Sequence, residues 1–355
     1  MKNSFYLAEV EEKDESPSVE RRENHFTRIE KSTQICYPFP IHRTKESCIM
    51  KPVETRKTEI DAYAKINLSL DITGTRQDGY HEVEMILHTI PLRDKITITS
   101  TVKKGNTRRP TITLQCDDRS LPTNQKNIAW KAANLMLETY PQITKDTDAI
   151  EIYIQKKIPV GGGLGGSSAD GAGVLRGLNA HFNLGVKKEE LMALGAQLGA
   201  DVPFQVLGGG TGLAAGTGTN VTLLPSLDRG TLLICDPGFS MMTKEVYQKY
   251  DSMEIPQTKH PDTSALVALL RAGEQEEFCR HLRNVLEVPA FAMKPELAKI
   301  KDAISENGAE IALMSGSGAC IYGIFQRESA ARKAAWVLET QYGCTTFICD
   351  ISRLR

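Results

Sequence analysis

The sequence predicts an α+β fold in two domains, and three observations carry that expectation. The chain, at 355 residues, is long for a single hydrophobic core. Apolar residues recur with period 2 in some stretches and period 3.6 in others, without the regular βαβ alternation of a doubly wound sheet. Glycine concentrates at residues 159–169 and again at 208–218, and the second cluster reads as a domain seam. The expected division is a solvated extension over 1–56, one domain over 57–212 and a second over 213–355.

Composition narrows the class. Hydrophobic residues make up 41% and charged residues 25%, with a formal net charge of −1. That near-balance argues against a nucleic-acid or anionic-membrane partner. No apolar run approaches the ~20 residues of a membrane span. The 8 cysteines lack CxxC spacing, which suits reduced thiols in a cytoplasmic protein better than disulfides or zinc. A small-molecule enzyme or binder remains.

Residues 1–56 show no sustained period and read as disordered. They lack the apolar core of a secretory signal, and Glu9, Glu11, Glu12, Asp14 and Glu15 argue against a transit peptide. Met50 is a candidate natural start. The first strand is expected near Tyr63–Ile72, with Ile66, Leu68, Leu70 and Ile72 on one face and Lys65, Asn67 and Ser69 on the other. A turn at Gln77, Asp78 and Gly79 signals a hairpin. Further strands are expected at 83–90, 94–102, 111–116, 149–154, 232–235 and 321–325. Helices are expected at 127–140, after the glycine loop, and at 188–198, 243–250, 264–272, 274–286, 295–307 and 329–340.

Three polar features carry candidate chemistry. The first is the loop Pro159, Val160, Gly161, Gly162, Gly163, Leu164, Gly165, Gly166, Ser167, Ser168, Ala169. A strand, a glycine-rich loop and a helix N-terminus make an anion site, because glycine admits phosphate close to the backbone and the first helical N–H groups are unpaired. It is not a Walker A loop, since serine rather than lysine follows the last glycine. It satisfies a dinucleotide fingerprint only nominally, and no first βαβ unit accompanies it. The others are Lys65 and Asp201. Singly, such a lysine is more often a solvated strand residue and such an aspartate an N-cap. Together beside a triphosphate they would form a phosphoryl-transfer site.

Four blocks make a more specific pattern: Ala64–Leu68 with Asp78–His81, the loop through Asp170, Leu198–Pro203, and Ser315–Cys320. In that order they resemble the GHMP kinase superfamily of small-molecule kinases, from about Ile60 to the C-terminus. The nearest likeness is to the branch whose acceptor alcohol carries a cytidine diphosphate. The resemblance implies a ribosomal-S5-like N-terminal domain that binds ATP, a ferredoxin-like C-terminal domain, and a site between them. It implies Asp201 as general base with Lys65 as its partner, the loop wrapped on ATP phosphates, and Ser168 near the phosphates or Mg²⁺. Tyr80 and His81 match positions that hold cytosine, Tyr247 a second aromatic against the base, and Asn67 a position beside the acceptor. A small-molecule substrate, no macromolecular partner, and a monomer or weak homodimer complete the expectation. Ser167, where related loops usually place glycine, and Gly171 and Gly173, where relatives tend to carry alanine, depart from the pattern. His88, His181, His260 and His281 lack ligand spacing and read as structural or exposed, and Met241 and Met242 as packing.

Overall fold

The computed structural model describes residues 55–102, 109–145 and 147–351. The expectation of a disordered extension with a start at Met50 lies outside the described residues up to position 54, while Thr55 and Arg56 already belong to a strand. The architecture is the expected α+β arrangement of two sheets with helices.

β1 (Thr55–Thr75) and β2 (His81–Val102) form a long antiparallel hairpin. Its turn holds Gly79 at φ 82°, a value glycine adopts without a Cβ penalty. The strands expected at 83–90 and 94–102 are one continuous β2. Pro91 suggests an interruption because it lacks an N–H, but the ladder absorbs it in a bulge: Tyr63 pairs with Arg93 and Ala64 with Ile90. β3 (Thr111–Cys116) pairs in parallel with β4 (Thr147–Gln155), and β4 flanks β2. α1 (Ile128–Thr139) is capped by the Asn127 side chain on the Ala129 N–H. α2 (Gly166–His181) follows the glycine loop, and α3 (Lys188–Ala196) and α4 (Val202–Val206) complete the helical layer.

The glycine-rich stretch expected as a seam is instead a strand. β5 (Thr211–Gly216) pairs with β2, and β6 (Asn220–Leu224) pairs with β5. The first sheet therefore runs to Leu224, beyond the expected boundary at 212, and the next strand begins at Thr231.

The second sheet contains β7 (Thr231–Asp236), β8 (Ile311–Met314), β9 (Ile321–Phe325) and β10 (Thr345–Asp350). Its order, β10-β7-β9-β8, with antiparallel neighbours throughout, is the 4-1-3-2 order of a ferredoxin-like sheet. Between β7 and β8 run α5 (Thr243–Asp251), α6 (Thr263–Ala272), α7 (Gln275–His281), α8 (Glu287–Met293) and α9 (Glu296–Glu306). α10 (Glu328–Tyr342) precedes β10. The helix expected over 274–286 ends at His281. The chain then extends to meet β1, with Leu70 N–H donating to Arg283 O and Val285 N–H to Leu70 O.

That contact explains the polar face of β1. Alternation predicts Lys65, Asn67 and Ser69 facing water, yet they are 4%, 0% and 0% exposed. The second domain covers them. Tyr322 Oη donates to Asn67 O, and Asn67 N–H donates to Ser315 Oγ. Both major apolar clusters draw side chains from both sheets, joining Ile66 to Tyr322 in one and Leu70 to Leu286 in the other. The site lies along this junction.

Candidate active site

The loop between β4 and α2 takes its shape from glycines in the left-handed region. Gly161, Gly163 and Gly165 have φ of 70°, 76° and 71°. A Cβ on Gly163 would collide with the Ser315 carbonyl, and one on Gly162 with the Cys320 sulfur. The second domain therefore presses directly on the loop. Cys320 N–H donates to Gly162 O (3.1 Å), Ser315 Oγ to Gly163 O (2.9 Å), and Lys65 N–H to Leu164 O (3.0 Å). Gly165 N-caps α2 with no side-chain bond, leaving N–H groups of the first helical turn open to an anion. Ser167 and Ser168 lie within that turn, Ser167 exposed and Ser168 half-buried.

Gly171 and Gly173 have a packing reason. A Cβ at Gly171 would stand 2.5 Å from Ile128 Cγ2, and one at Gly173 2.5 Å from Ile96 Cδ1. α2 lies close on α1 and on the β1–β2 hairpin because these positions have no side chain.

Lys65 projects from β1 to the floor of the cleft. Its Nζ donates to Asn67 Oδ1 (2.6 Å) and Gly163 O (3.0 Å) and stands 3.3 Å from Asp201 Oδ2. It thus ties strand, loop and carboxylate together. Asp201 occupies the N-cap position of α4, but its side chain makes no capping bond. The carboxylate is 24% exposed, open to the cleft while held by Lys65. Asn67, expected beside the acceptor, is fully buried, with its amide spent on Lys65 and on Met85 Sδ.

One cavity of about 990 Å³ joins these groups to the tip of the hairpin. Tyr80 there is 67% exposed. His81 packs at a tilt of 43°, with ring centroids 4.9 Å apart, against Tyr247, which α5 brings across from the second domain. Burial, with the Asp201 charge adding, pushes the Tyr247 phenol up and keeps it neutral. The loop from Pro159 to Ser168, Lys65, Asp201, Asn67, Tyr80, His81 and Tyr247 thus all border a single cleft, whereas Ala169 is buried in the core of the first domain.

Several neighbours escape a reading of the sequence alone. Asp94, Lys156 and Asp170 form a buried cluster under the loop: Lys156 Nζ bridges the two carboxylates, 2.8 Å from Asp170. Asp94 also accepts the N–H groups of Lys157 and Ile158, fixing the chain where it leaves β4. Burial pushes the Asp170 carboxyl up; the Lys156 ammonium opposes this and the Asp94 charge adds to it. Thr243 and Ser317 hydroxyls bond at 2.9 Å across the cleft wall. Asp251 meets His81, and a signal for it exists: it lies four residues after Tyr247 on one helix face. Three of the histidines without ligand spacing are structural: His88 bonds Thr211, His181 bonds Thr58 and Ser100, and His260 bonds Asp71.

A glycine-rich loop and a lysine–aspartate pair between two α+β domains are the arrangement expected of a small-molecule kinase of the GHMP class. The chain matches the GHMP kinases N terminal domain over residues 127–209 and the GHMP kinases C terminal domain over 266–343. A 4-diphosphocytidyl-2-C-methyl-D-erythritol kinase of Syntrophomonas wolfei is 39% identical over 287 residues, covering 81% of this chain and 96% of the relative. Another, of Lachnoclostridium phytofermentans, is 40% identical over 290 residues, covering 81% and 95%. A crystal structure of a 4-(cytidine 5'-diphospho)-2C-methyl-D-erythritol kinase superposes with TM-score 0.64 at 30% identity, over 82% of this chain and 98% of that one. The homoserine kinase of Cytophaga hutchinsonii shares the fold at TM-score 0.62 and 19% identity, over 87% of this chain and 96% of that one. The chain belongs to the 4-diphosphocytidyl-2-C-methyl-D-erythritol kinase family. Among the described residues no helix is long and apolar enough to cross a membrane.

Proposed function

We propose that this chain transfers the γ-phosphoryl group of ATP to the 2-hydroxyl of 4-diphosphocytidyl-2-C-methyl-D-erythritol, a step of non-mevalonate isoprenoid synthesis. The observation that carries the proposal is the Lys65–Asp201 pair, 3.3 Å apart, between the glycine loop and the aromatic end of one cavity.

In this reading the loop and the first turn of α2 bind the donor phosphates through backbone N–H groups. Asp201 accepts the proton of the acceptor hydroxyl as the oxygen attacks phosphorus. Lys65 orients Asp201 and neutralises charge developing on the transferred group. Its burial strengthens that effect, because few waters compete for the ammonium. Tyr80, His81 and Tyr247 hold the cytidyl base, the aromatic faces by stacking and the imidazole by hydrogen bonding. Asn67 holds Lys65 and so serves the acceptor end indirectly.

Mg²⁺ accompanies ATP in this scheme. Mg²⁺ would be carried on the ATP phosphates and would supply charge neutralisation there, and the Ser168 hydroxyl, half-buried in the first turn of α2, is the protein group that would serve it. Such a cation screens phosphate charge.

A panel of acceptor alcohols, read by product mass, tests the proposal. Phosphorylation of the cytidyl substrate, with none of mevalonate or homoserine, is expected. Turnover of mevalonate or homoserine in preference to it would replace this reading with that of another GHMP kinase.

A further inference from the structure

Asp251 has no part in the transfer scheme, yet its Oδ1 lies 2.7 Å from His81 Nε2. It is the last residue of α5, where a negative charge faces the negative end of the helix dipole. Helix energetics therefore do not account for a carboxylate there. The same helix supplies Tyr247 at 4.9 Å from the His81 ring and Tyr250 edge-on at 6.3 Å. Two rings and one carboxylate from α5 thus fix the imidazole. His81, Tyr247 and Asp251 all border the cavity that holds Lys65 and Asp201. Among the described residues Nδ1 of His81 has no hydrogen-bond partner.

A carboxylate only accepts hydrogen bonds, so a neutral imidazole beside it carries its proton on Nε2. Nδ1 is then a lone-pair acceptor. An acceptor there suits a pyrimidine that presents an exocyclic amine, as cytosine does. Uracil presents a carbonyl oxygen at the same ring position, and two acceptors face each other unpaired.

We propose that Asp251 is a positioning residue that fixes the tautomer and orientation of His81, and through it selects an amino-bearing pyrimidine over a carbonyl-bearing one. The inference rests on the cytidyl reading of the cleft. It adds that the choice between the two bases is made by a carboxylate on α5 acting behind the imidazole.

The test compares the cytidyl substrate with its uridyl analogue in the parent chain, Asp251→Ala, Asp251→Glu, His81→Ala and the double variant His81→Ala/Asp251→Ala. At metal sites, loss of the carboxylate that orients a ligating histidine costs about tenfold or more in affinity, and a base-binding histidine held in the same way is expected to respond on that scale. Asp251→Ala is therefore expected to raise KM for the cytidyl substrate about tenfold, more than it changes kcat, with KM for ATP within about twofold of the parent. The cytidyl-to-uridyl ratio of kcat/KM should fall by a similar factor, Asp251→Glu should restore most of it, and Asp251→Ala should add nothing in the His81→Ala background. A parent that discriminates between the bases, with Asp251→Ala discriminating equally well, overturns the role of Asp251 alone. An equal effect of Asp251→Ala in the absence of His81 also overturns it. A parent that does not discriminate overturns the cytidyl reading and this inference with it.

Discussion

Asp201 shows how a residue's local position and its role can part company. It stands where an N-cap would, before α4, and residue preferences at helix starts favour that use. Its side chain caps nothing and turns to Lys65 instead. Because the Asn isostere keeps the shape and lacks the basic oxygen, Asp201→Asn should lower kcat by about 10²–10⁴-fold, the usual loss for a general base. Its melting temperature should stay close to the parent's; near-normal turnover would refute the assignment. Lys65→Met is expected to behave differently. It strips a donor from Asn67 Oδ1 and Gly163 O in a buried place, so stability should fall by about 1–3 kcal/mol along with kcat. A fully stable Lys65→Met chain would contradict the network described for that ammonium. At this scale the sequence names the two residues, but not their meeting, since the long stretch of chain between them carries no distance information. It also hides the meeting of Asp94, Lys156 and Asp170, because isolated charged residues look solvated until the packing is known.

Among the elements, the glycine loop is legible in the sequence and the hairpin only in part. Glycine density, a preceding alternating run and a following helical run suffice for the loop, because all three signals are local. Pro91 cannot donate, so β2 reads as two strands, and only the pairing partner reveals that a bulge removes the need. Likewise Gly208–Gly218 resembles a seam by composition, while its pairing with β2 makes part of it a strand. Two glycine variants separate backbone conformation from packing. Gly163 and Gly238 both have positive φ, 76° and 80°. A Cβ on Gly238 would meet nothing within 4 Å, so Gly238→Ala should cost only the left-handed penalty of about 1–2 kcal/mol and leave KM for ATP unchanged. Gly163→Ala meets the Ser315 backbone as well and must displace the loop from the second domain. Its KM for ATP should rise by more than about tenfold, an effect exceeding the roughly 1.4 kcal/mol that defines one decade. Indistinguishable ATP affinities in the two variants would show that the contact with Ser315 does not shape the cradle.

For the whole molecule, the two sheets share their cores, and groups buried within the first domain set how stability responds to acid. The polar face of β1 reads as solvent-facing because alternation alone cannot say what covers it; Tyr322, Ser315 and the 283–285 segment do. His88 and His181 are buried in the first domain, and burial pulls both down from 6.5 to about 4, with the Arg56 charge adding at His181. Below pH 6.5 the unfolded chain protonates both rings, whereas the folded chain keeps them neutral until about pH 4. The unfolded state therefore binds up to about two more protons in this window, so stability falls as pH falls. Asp170 opposes them. Its raised carboxyl keeps a proton that the unfolded chain has already lost above the ordinary value of 3.8. Two protons against one leave about one net, or a slope of about 1.4 kcal/mol per pH unit. Urea midpoints should therefore climb between about pH 4.5 and 6.5 by an equivalent of about 2 kcal/mol or less, the rise flattening near 6.5 where the unfolded histidines have lost half their protons. His181→Asn, whatever it costs at neutral pH, removes one of the two histidine protons and should make that profile nearly flat. Asp170→Asn removes the opposing proton and should steepen it. If His181→Asn keeps the parent's slope, the buried neutral histidine is not what makes this fold acid-sensitive.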